Sequence, residues 1–252
     1  MKFIFVILLL INSTLGFVRH PIKISNNLIR LYSNKRINGY LPKSSIQEEY
    51  LNYMENIKYK MIIANGPAGT GKTLLACQTA IKQLIDRDIE KIIITRPIVP
   101  VEEDIGFLPG TINKKMDPWT RPIMDIFSEF QSKNDLKNLI RDNTIEISPL
   151  GFMRGRTFKN AVVIADEMQN CSPNQMLMLL TRLGENSKII ITGDLKQCDK
   201  DFSGLQDLLE RLKLYYDTSE EMENDGIAII NFKNENVERS YLVKKILDIY
   251  NQ

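Results

Sequence analysis

The sequence GPAGTGKT at residues 66–73 restricts the fold of this chain more than any other feature, and it follows a short apolar run at residues 61–64. Its spacing, G-x-x-x-x-G-K-[ST], is that of a phosphate-binding loop, in which the backbone N–H groups of a glycine-rich turn and the N-terminus of the next helix surround a triphosphate. The apolar run predicts a buried strand, and regularly spaced apolar residues between 74 and 85 predict an amphipathic helix. Since a chance glycine-rich turn would lack this context, the sequence predicts a nucleotide-binding loop.

The positions of this loop have distinct predicted roles. Gly66, Gly69 and Gly71 allow backbone conformations or close approaches that a Cβ would obstruct. Lys72 is expected to reach the β- and γ-phosphates, and the hydroxyl of Thr73 is expected to bind Mg²⁺. The residues predicted to contact the nucleotide are Gly66, Pro67, Ala68, Gly69, Thr70, Gly71, Lys72 and Thr73.

Short apolar runs that end in polar residues recur at residues 92–94, 161–165 and 189–192, and a further apolar run lies at residues 227–232. Helical segments are expected between them, and an amphipathic helix is predicted at residues 237–250. Alternating strands and helices favour a mostly parallel sheet with helices on both faces, in which ligands bind at the carboxyl ends of the strands. The predicted fold class is therefore α/β, with one P-loop NTPase domain.

Asp166 and Glu167 stand directly after the apolar run 161–165. At this position in P-loop NTPases, an aspartate holds Mg²⁺ and a neighbouring glutamate can orient or deprotonate the attacking water. Two acids at a solvated strand end are the alternative, and the phosphate-binding loop favours the functional interpretation. After the run 189–192, Gln197 is placed where it could sense a γ-phosphate or its water. The acid pair indicates hydrolysis rather than nucleotide binding alone.

Charge is unevenly distributed along the chain. Residues 1–47 contain seven of the 33 Lys and Arg residues and none of the 31 acidic residues, so the remainder, with 26 basic and 31 acidic groups, is mildly acidic. The rest of the chain therefore lacks a global positive field for nucleic acid, and RNA binding would need a local patch. Arg154, Arg156 and Lys159 are the candidates for such a patch, with a solvated loop as the alternative. The one histidine, His20, lies in the basic segment, which excludes Ser-His and Cys-His catalysis in the remainder.

The N-terminal segment differs in character from the rest of the chain. Residues 1–16 have the short apolar core and small polar end of a signal peptide, and residues 17–41 are basic and free of acids, like a disordered transit peptide. This arrangement is similar to the two-part leaders of plastid proteins in algae with secondary plastids. A mitochondrial presequence and a retained signal anchor are the alternatives. We expect the P-loop domain to occupy residues 42–252, without stable insertion of this domain into a membrane.

Further motifs occur in a fixed order along the chain. They are TRP at 95–97, GFLPG at 106–110, RGRTF at 154–158, DEMQN at 166–170, QMLMLLTRLG at 175–184, GDLKQ at 193–197, SGL at 203–205 and VERSYLVKKI at 237–246. Together with the phosphate-binding loop, they resemble the motifs of the PhoH-like proteins, a family of P-loop ATPases, over about residues 42–250. Two departures from the family pattern, Glu102-Glu103 before GFLPG and Met168 within DEMQN, leave the expected phosphate and metal chemistry intact.

The resemblance implies a single RecA-like ATPase core related to the first motor domain of superfamily 1 helicases. It also implies assembly into a homo-oligomeric ring, RNA as a partner, and ATP and Mg²⁺ as cofactors. Gln47 resembles the adenine-reading glutamine of that lineage. Arg239 matches a late arginine of the family that could complete the site of a neighbouring subunit as an arginine finger. A salt bridge on its own helix is the alternative for Arg239.

These observations lead to three functional hypotheses. The first is Mg²⁺-dependent ATP hydrolysis coupled to RNA, with Glu167, Gln197 and Arg239 as catalytic residues and with Thr73 and Asp166 as metal ligands. The second is an ATP-gated RNA-binding switch that unwinds nothing. The third is a small-molecule kinase, which is less favoured because an acid pair that activates water favours hydrolysis.

Overall fold

A computed structural model of the protein describes residues 39–97, 112–199, 202–238 and 241–250. The predicted signal peptide and almost all of the predicted transit-like leader lie outside the described residues, as do the GFLPG motif and Arg239. Among the described helices, none is both long enough and apolar enough to cross a membrane.

A six-stranded parallel sheet forms the centre of the described chain. Its strands are β1 (Met61–Asn65), β2 (Lys91–Thr95), β3 (Ile145–Ile147), β4 (Ala161–Ala165), β5 (Lys188–Gly193) and β6 (Ile227–Asn231). They lie in the order β3-β2-β4-β5-β1-β6, and every neighbouring pair is parallel. Strand β1, which precedes the phosphate-binding loop, therefore lies between β5 and β6. Strand β4, which precedes the acid pair, lies between β2 and β5.

The described residues also form eight α-helices and four short 3-10 helices. The α-helices are α1 (Ser45–Glu55), α2 (Lys72–Ile85), α3 (Ile112–Phe130), α4 (Lys133–Arg141), α5 (Pro173–Leu180), α6 (Gly204–Tyr215), α7 (Ser219–Asn224) and α8 (Tyr241–Tyr250). The 3-10 helices are Leu150–Met153, Met168–Asn170, Leu195–Gln197 and Asn234–Asn236. Helix α2 contacts β2, β4 and β5, helix α1 contacts β1 and β6, and helices α5 and α6 contact each other.

Alternation of side chains along the strands creates a core on each face of the sheet. Ile63, Ile93, Val163 and Ile191 belong to one buried cluster, together with residues of α5 and α6. Their neighbours along the strands, such as Ile62, are also fully buried but point to the opposite face. Because both faces are covered, the strands other than β3 contain continuous apolar runs. The α/β fold with a parallel sheet and helices on both faces, predicted from these runs, is confirmed.

Two details of the fold differ from the sequence predictions. Strand β3 was not predicted, because it has three residues with Glu146 at its centre and so forms no apolar run. It is nevertheless paired with β2 through Ile145 and Ile147. The predicted start of the closing helix at residue 237 is wrong, because Val237 has an extended conformation after a 3-10 turn and α8 begins at Tyr241.

Candidate active site

The phosphate-binding loop has the backbone conformation that its glycines allow. Gly66, Gly69 and Gly71 have φ angles of 145°, 83° and 84°, which residues with a Cβ rarely adopt. At Gly66 a Cβ would lie 2.4 Å from the carbonyl oxygen of Phe232, so the chain after β6 packs directly against the loop. Helix α2 begins at Lys72, and its first N–H groups have no acceptor within the helix. This arrangement is suited to binding phosphate oxygens.

A cavity of about 230 Å³ joins the loop to the carboxyl ends of β4 and β5. Its lining residues are Ala68, Gly69, Gly71, Lys72, Thr73, Leu74, Asp166, Glu167, Thr192, Gly193, Asp194 and Gln197. The structure therefore brings together most of the predicted loop residues, both predicted acids and Gln197. Thr70 belongs to the same loop but is buried within it, where its hydroxyl donates to the carbonyl oxygen of Pro67 at 3.0 Å.

Lys72 is held by the loop that it follows. Its Nζ donates to the carbonyl oxygens of Gly66 and Pro67 at 2.6 and 2.8 Å. Burial lowers the pKa of the Lys72 ammonium, while the nearby carboxylates of Asp194, Glu167 and Asp166 act in the opposite direction. The ammonium thus lies close enough to these carboxylates for their negative charges to favour its protonated form.

Asp166 is buried at the end of β4 and is fixed by hydroxyl groups from two other elements. Its Oδ1 accepts hydrogen bonds from Oγ1 of Thr73 at 2.7 Å and from Oγ1 of Thr192 at 2.6 Å. Its backbone N–H donates to the carbonyl oxygen of Thr95 at 2.9 Å. The two predicted metal ligands, Thr73 and Asp166, are therefore in direct contact. A hydroxyl and a carboxylate beside a phosphate site fit Mg²⁺, which is usually held by few protein oxygens together with phosphates and water.

Glu167 follows Asp166 in a left-handed conformation, with φ 55° and ψ 39°. Its Oε2 accepts a hydrogen bond from Nε2 of Gln169 at 2.6 Å. Its Oε1 lies 3.5 Å from Nη2 of Arg96. The carboxylate borders the cavity between the loop and the strand ends, which is where the sequence predicts a group that activates water.

Gln197 lies at the end of the 3-10 turn that follows β5. Its backbone N–H donates to the carbonyl oxygen of Asp194 at 3.0 Å, and the Asp194 carboxylate accepts from the N–H of Lys196 at 3.0 Å. These bonds turn the chain sharply after the strand and bring Gln197 to the cavity. Its predicted contact with a γ-phosphate stays a prediction.

Gln47 lies behind the loop, where each of its amide atoms already has a protein partner. Nε2 donates to the carbonyl oxygen of Thr70 at 3.1 Å and to Oε1 of Glu238 at 2.9 Å, and Oε1 accepts from the N–H of Lys43 at 2.7 Å. Glu238 also donates its N–H to the carbonyl oxygen of Gly69 at 2.8 Å. Both N–H groups of Nε2 are therefore used within the protein, while Oε1 keeps one further lone pair that could accept a hydrogen bond.

The structure pairs two of the three cations in the predicted basic patch with acids. Arg156 donates from Nη2 to Oε2 of Glu146 at 2.8 Å, and Lys159 lies 3.8 Å from Glu185. Lys91 lies 3.0 Å from the same Glu146. Arg154 is exposed. The patch therefore offers less positive charge than its sequence indicates, and the Arg156 ion pair instead ties the RGRTF segment to β3.

Replacing Glu146 by glutamine should destabilise the protein in a pH-dependent way. Hydrogen bonds from Arg156 and Lys91 lower the pKa of Glu146 from 4.5 to about 2. A lowered carboxyl pKa stabilises the fold above pH 4.5, and this contribution is lost as the pH falls towards 2. Allowing for partial exposure, we expect Glu146→Gln to lower the free energy of unfolding by roughly 1–2 kcal/mol at pH 7.

Urea denaturation of both proteins at pH 7 and at pH 3 measures this effect. The difference between wild type and variant should shrink at the lower pH. Glu185→Gln is the matched control, because Glu185 is exposed and its ion pair spans 3.8 Å. An equal difference at both pH values would contradict the assigned ion pair.

Several residues at the site were not assigned a role from the sequence. Arg96 and Gln169 contact Glu167, and Thr192 contacts Asp166. Each lies at or shortly after the end of an apolar strand. Since polar residues at the carboxyl ends of parallel strands lie near one another, this position could have indicated that these residues belong to the site. Their individual partners depend on the strand order, which the apolar runs do not reveal.

The large terminase of a thermophilic bacteriophage has a similar fold. Its structure superposes with a TM-score of 0.51 and 14% sequence identity, over 82% of this chain and 50% of that chain. At this identity the likeness concerns the fold alone. It agrees with the parallel sheet that has helices on both faces. With the phosphate-binding loop after β1 and the acid pair after β4, this sheet has the RecA-like P-loop NTPase fold.

Comparison at the sequence level gives a more specific assignment. Protein PhoH of Escherichia coli strain K12 is 41% identical over 209 residues, covering 81% of this chain and 56% of its own length. The PhoH-like protein of Bacillus subtilis strain 168 is 42% identical over 213 residues, covering 83% of this chain and 63% of its own length. The chain thus spans less than two thirds of these relatives. The family model described as PhoH-like protein matches residues 40–251, and the chain belongs to this family.

Proposed function

We propose that the protein binds ATP together with Mg²⁺ and hydrolyses it at the cavity between the phosphate-binding loop and β4. The observation that carries this proposal is the 2.7 Å hydrogen bond between Thr73 and Asp166, beside Lys72 and Glu167 in one cavity. A loop for phosphates, a hydroxyl and a carboxylate for the metal, and a second carboxylate for water are the parts that P-loop hydrolysis requires.

In this proposal each side chain has one task. The backbone of the loop and Lys72 bind the phosphates, so Lys72 exchanges its bonds to the loop carbonyls for bonds to phosphate oxygens. Thr73 and Asp166 would hold Mg²⁺, which would supply positive charge beside the phosphates. Glu167 accepts a proton from the attacking water, and Gln197 contacts the γ-phosphate or that water.

Asp166→Asn tests the metal part of the proposal. The substitution keeps the shape of the side chain and removes the charge that would hold Mg²⁺. We expect the turnover number in saturating MgCl₂ to fall by at least about 100-fold, because metal stabilisation of the transition state is worth several kcal/mol. Phosphate release by the full chain, measured in MgCl₂ and in EDTA, checks this.

The matched control for this experiment is Asp217→Asn, at an exposed position between α6 and α7. It should retain parental turnover. Equal turnover in MgCl₂ and in EDTA for the wild type would contradict the magnesium proposal.

The proposal extends to RNA as the partner and to a homo-oligomeric ring, which the family resemblance implies. Since Arg156 is paired with Glu146, the proposed RNA contact does not depend on Arg156. Stimulation of ATP turnover by single-stranded RNA tests the coupling. RNA affinity that changes with ATP while no duplex is separated would instead favour the ATP-gated switch.

For the cellular site of action, we propose a plastid, with the mitochondrion as the alternative. The support is the order of a signal-like segment and a basic, acid-free segment within residues 1–41. A fluorescent protein fused after about residue 45 tests this proposal by its location. Fluorescence in the cytosol would contradict both versions.

A further inference from the structure

Glu167 has a hydrogen-bond donor at one oxygen of its carboxylate and a cation near the other. Gln169 donates to Oε2 at 2.6 Å, and Arg96 lies 3.5 Å from Oε1. Arg96 follows β2 and Gln169 contacts the end of β5, and these strands flank β4 on opposite sides. The hydrogen bond from Gln169 and the charge of Arg96 therefore favour one orientation of the carboxylate, and its oxygens keep lone pairs for a water molecule.

Gln169 is itself fixed. Its side chain is almost completely buried, and its Oε1 accepts a hydrogen bond from the backbone N–H of Asp194 at 3.1 Å. A Cβ at Gly193 would lie 2.9 Å from that Oε1 and 2.5 Å from Cδ2 of Leu205, so the absence of a side chain at Gly193 makes room for the amide. Gln169 thus connects the orientation of Glu167 to the end of β5.

Arg96 is fixed by its place in the sheet. The preceding residue, Thr95, pairs with Ala165 and accepts the backbone N–H of Asp166 at 2.9 Å. The start of the Arg96 side chain is therefore held next to the start of the Glu167 side chain. About 28% of the Arg96 side chain is exposed, so the guanidinium is only partly buried.

The backbone at Glu167 also points to a functional constraint. A left-handed conformation costs a residue other than glycine about 1 kcal/mol or more, and such residues persist where their surroundings hold them. Here the conformation directs the carboxylate towards the cavity and between Arg96 and Gln169. Catalytic groups gain from such fixation because small errors in position reduce rates strongly.

We propose that Arg96 and Gln169 are positioning residues that hold the Glu167 carboxylate in the orientation needed to accept a proton from water. This inference rests on the proposed hydrolysis of ATP by way of Glu167. Neither residue needs to contact nucleotide in this role, so their removal should affect the turnover number rather than ATP affinity.

Arg96→Met and Gln169→Glu test the inference in the full chain. Gln169→Glu keeps an acceptor for the Asp194 N–H but replaces the N–H donor to Glu167 by a second carboxyl, which either repels the Glu167 carboxylate or shares a proton with it, and both outcomes reduce the ability of Glu167 to accept a proton from water. We expect each variant to lower the turnover number by roughly 10–100-fold, with the Kd for ATP changed by less than about threefold. Arg96→Lys should recover part of the loss, because it keeps a cationic donor.

Three controls separate positioning from a loss of structure. Arg141→Met, at an exposed position on α4, should keep parental turnover. The melting temperature of Arg96→Met should stay within a few degrees of the wild type, whereas that of Gln169→Glu should fall because a second carboxyl is buried beside Glu167, so turnover of Gln169→Glu is measured well below its melting temperature. In a Glu167→Gln background, Arg96→Met should cause no further loss in single-turnover rate, because its effect passes through Glu167.

The outcomes distinguish failure of this inference from failure of the proposed function. If Glu167→Gln is inactive while Arg96→Met and Gln169→Glu turn over within about twofold of the wild type, the positioning roles are wrong and the proposed function stands. A parallel loss of ATP affinity and melting temperature would also overturn the positioning roles. If Glu167→Gln hydrolyses ATP at the parental rate, the proposed role of Glu167 itself is wrong.

Discussion

Replacing Lys72 by alanine is expected to abolish ATP turnover and to weaken ATP binding by at least about 100-fold, which corresponds to roughly 2.7 kcal/mol. The Lys72 ammonium donates hydrogen bonds to the carbonyl oxygens of Gly66 and Pro67. These bonds place its charge beside the backbone N–H groups of the loop. Alanine removes the charge that would neutralise the β- and γ-phosphates, and no other described lysine or arginine lines the cavity. Titration calorimetry with ATP and a phosphate-release assay measure the two effects.

Lys213→Ala, at an exposed position on α6, is the matched control and should behave like the wild type. Because Lys72 also contacts the loop, the melting temperature of Lys72→Ala without nucleotide shows whether the fold survives. A folded Lys72→Ala protein that binds ATP with parental affinity would contradict the placement of the triphosphate at this loop.

The second large effect is expected for Glu167→Gln, which should reduce turnover by about 10²–10⁴-fold while ATP affinity stays close to the wild type. Glutamine has the same size and retains an oxygen that can accept from Gln169, but its amide does not act as a general base. The Glu167 carboxylate borders the cavity and is bonded to Gln169, whereas Lys72 is bonded to the loop carbonyls, so binding should be spared. Single-turnover hydrolysis and ATP binding, measured on the same preparation, separate the two quantities.

Glu220→Gln, at an exposed position in α7, provides the comparison for a charge change away from the cavity. It should hydrolyse ATP at the parental rate. Loss of ATP binding by a folded Glu167→Gln protein would assign Glu167 to nucleotide binding instead of to water activation.

The strands that carry the site could be predicted because they are buried on both faces. Burial on both faces requires uninterrupted apolar residues, and such runs are visible in a single sequence. Strand β3 is at the sheet edge and contains Glu146, whose charge is neutralised by Arg156 and Lys91. Because the cations that stabilise Glu146 lie elsewhere in the sequence, the sequence around Glu146 resembles that of a loop.

The site itself was predictable to different degrees. The loop has a fixed spacing, and the acid pair follows a recognisable strand, so their meeting in one cavity follows from a parallel sheet. The contacts of Arg96 and Gln169 with Glu167 depend on β4 lying between β2 and β5. Likewise, the local charge of the RGRTF motif could not show that Arg156 is paired with Glu146.

The packing of the chain after β6 against the phosphate-binding loop has a consequence for synthesis on the ribosome. Strand β6 covers the otherwise open edge of β1, Phe232 packs at Gly66, and Glu238 bonds to the carbonyl oxygen of Gly69. A nascent chain in which residues 227–238 are still in the exit tunnel has none of these contacts. The loop emerges more than 150 residues before the segment that supports it, as the positions of Gly66 and Glu238 show. Nucleotide therefore cannot stabilise the completed site until that later segment has left the ribosome.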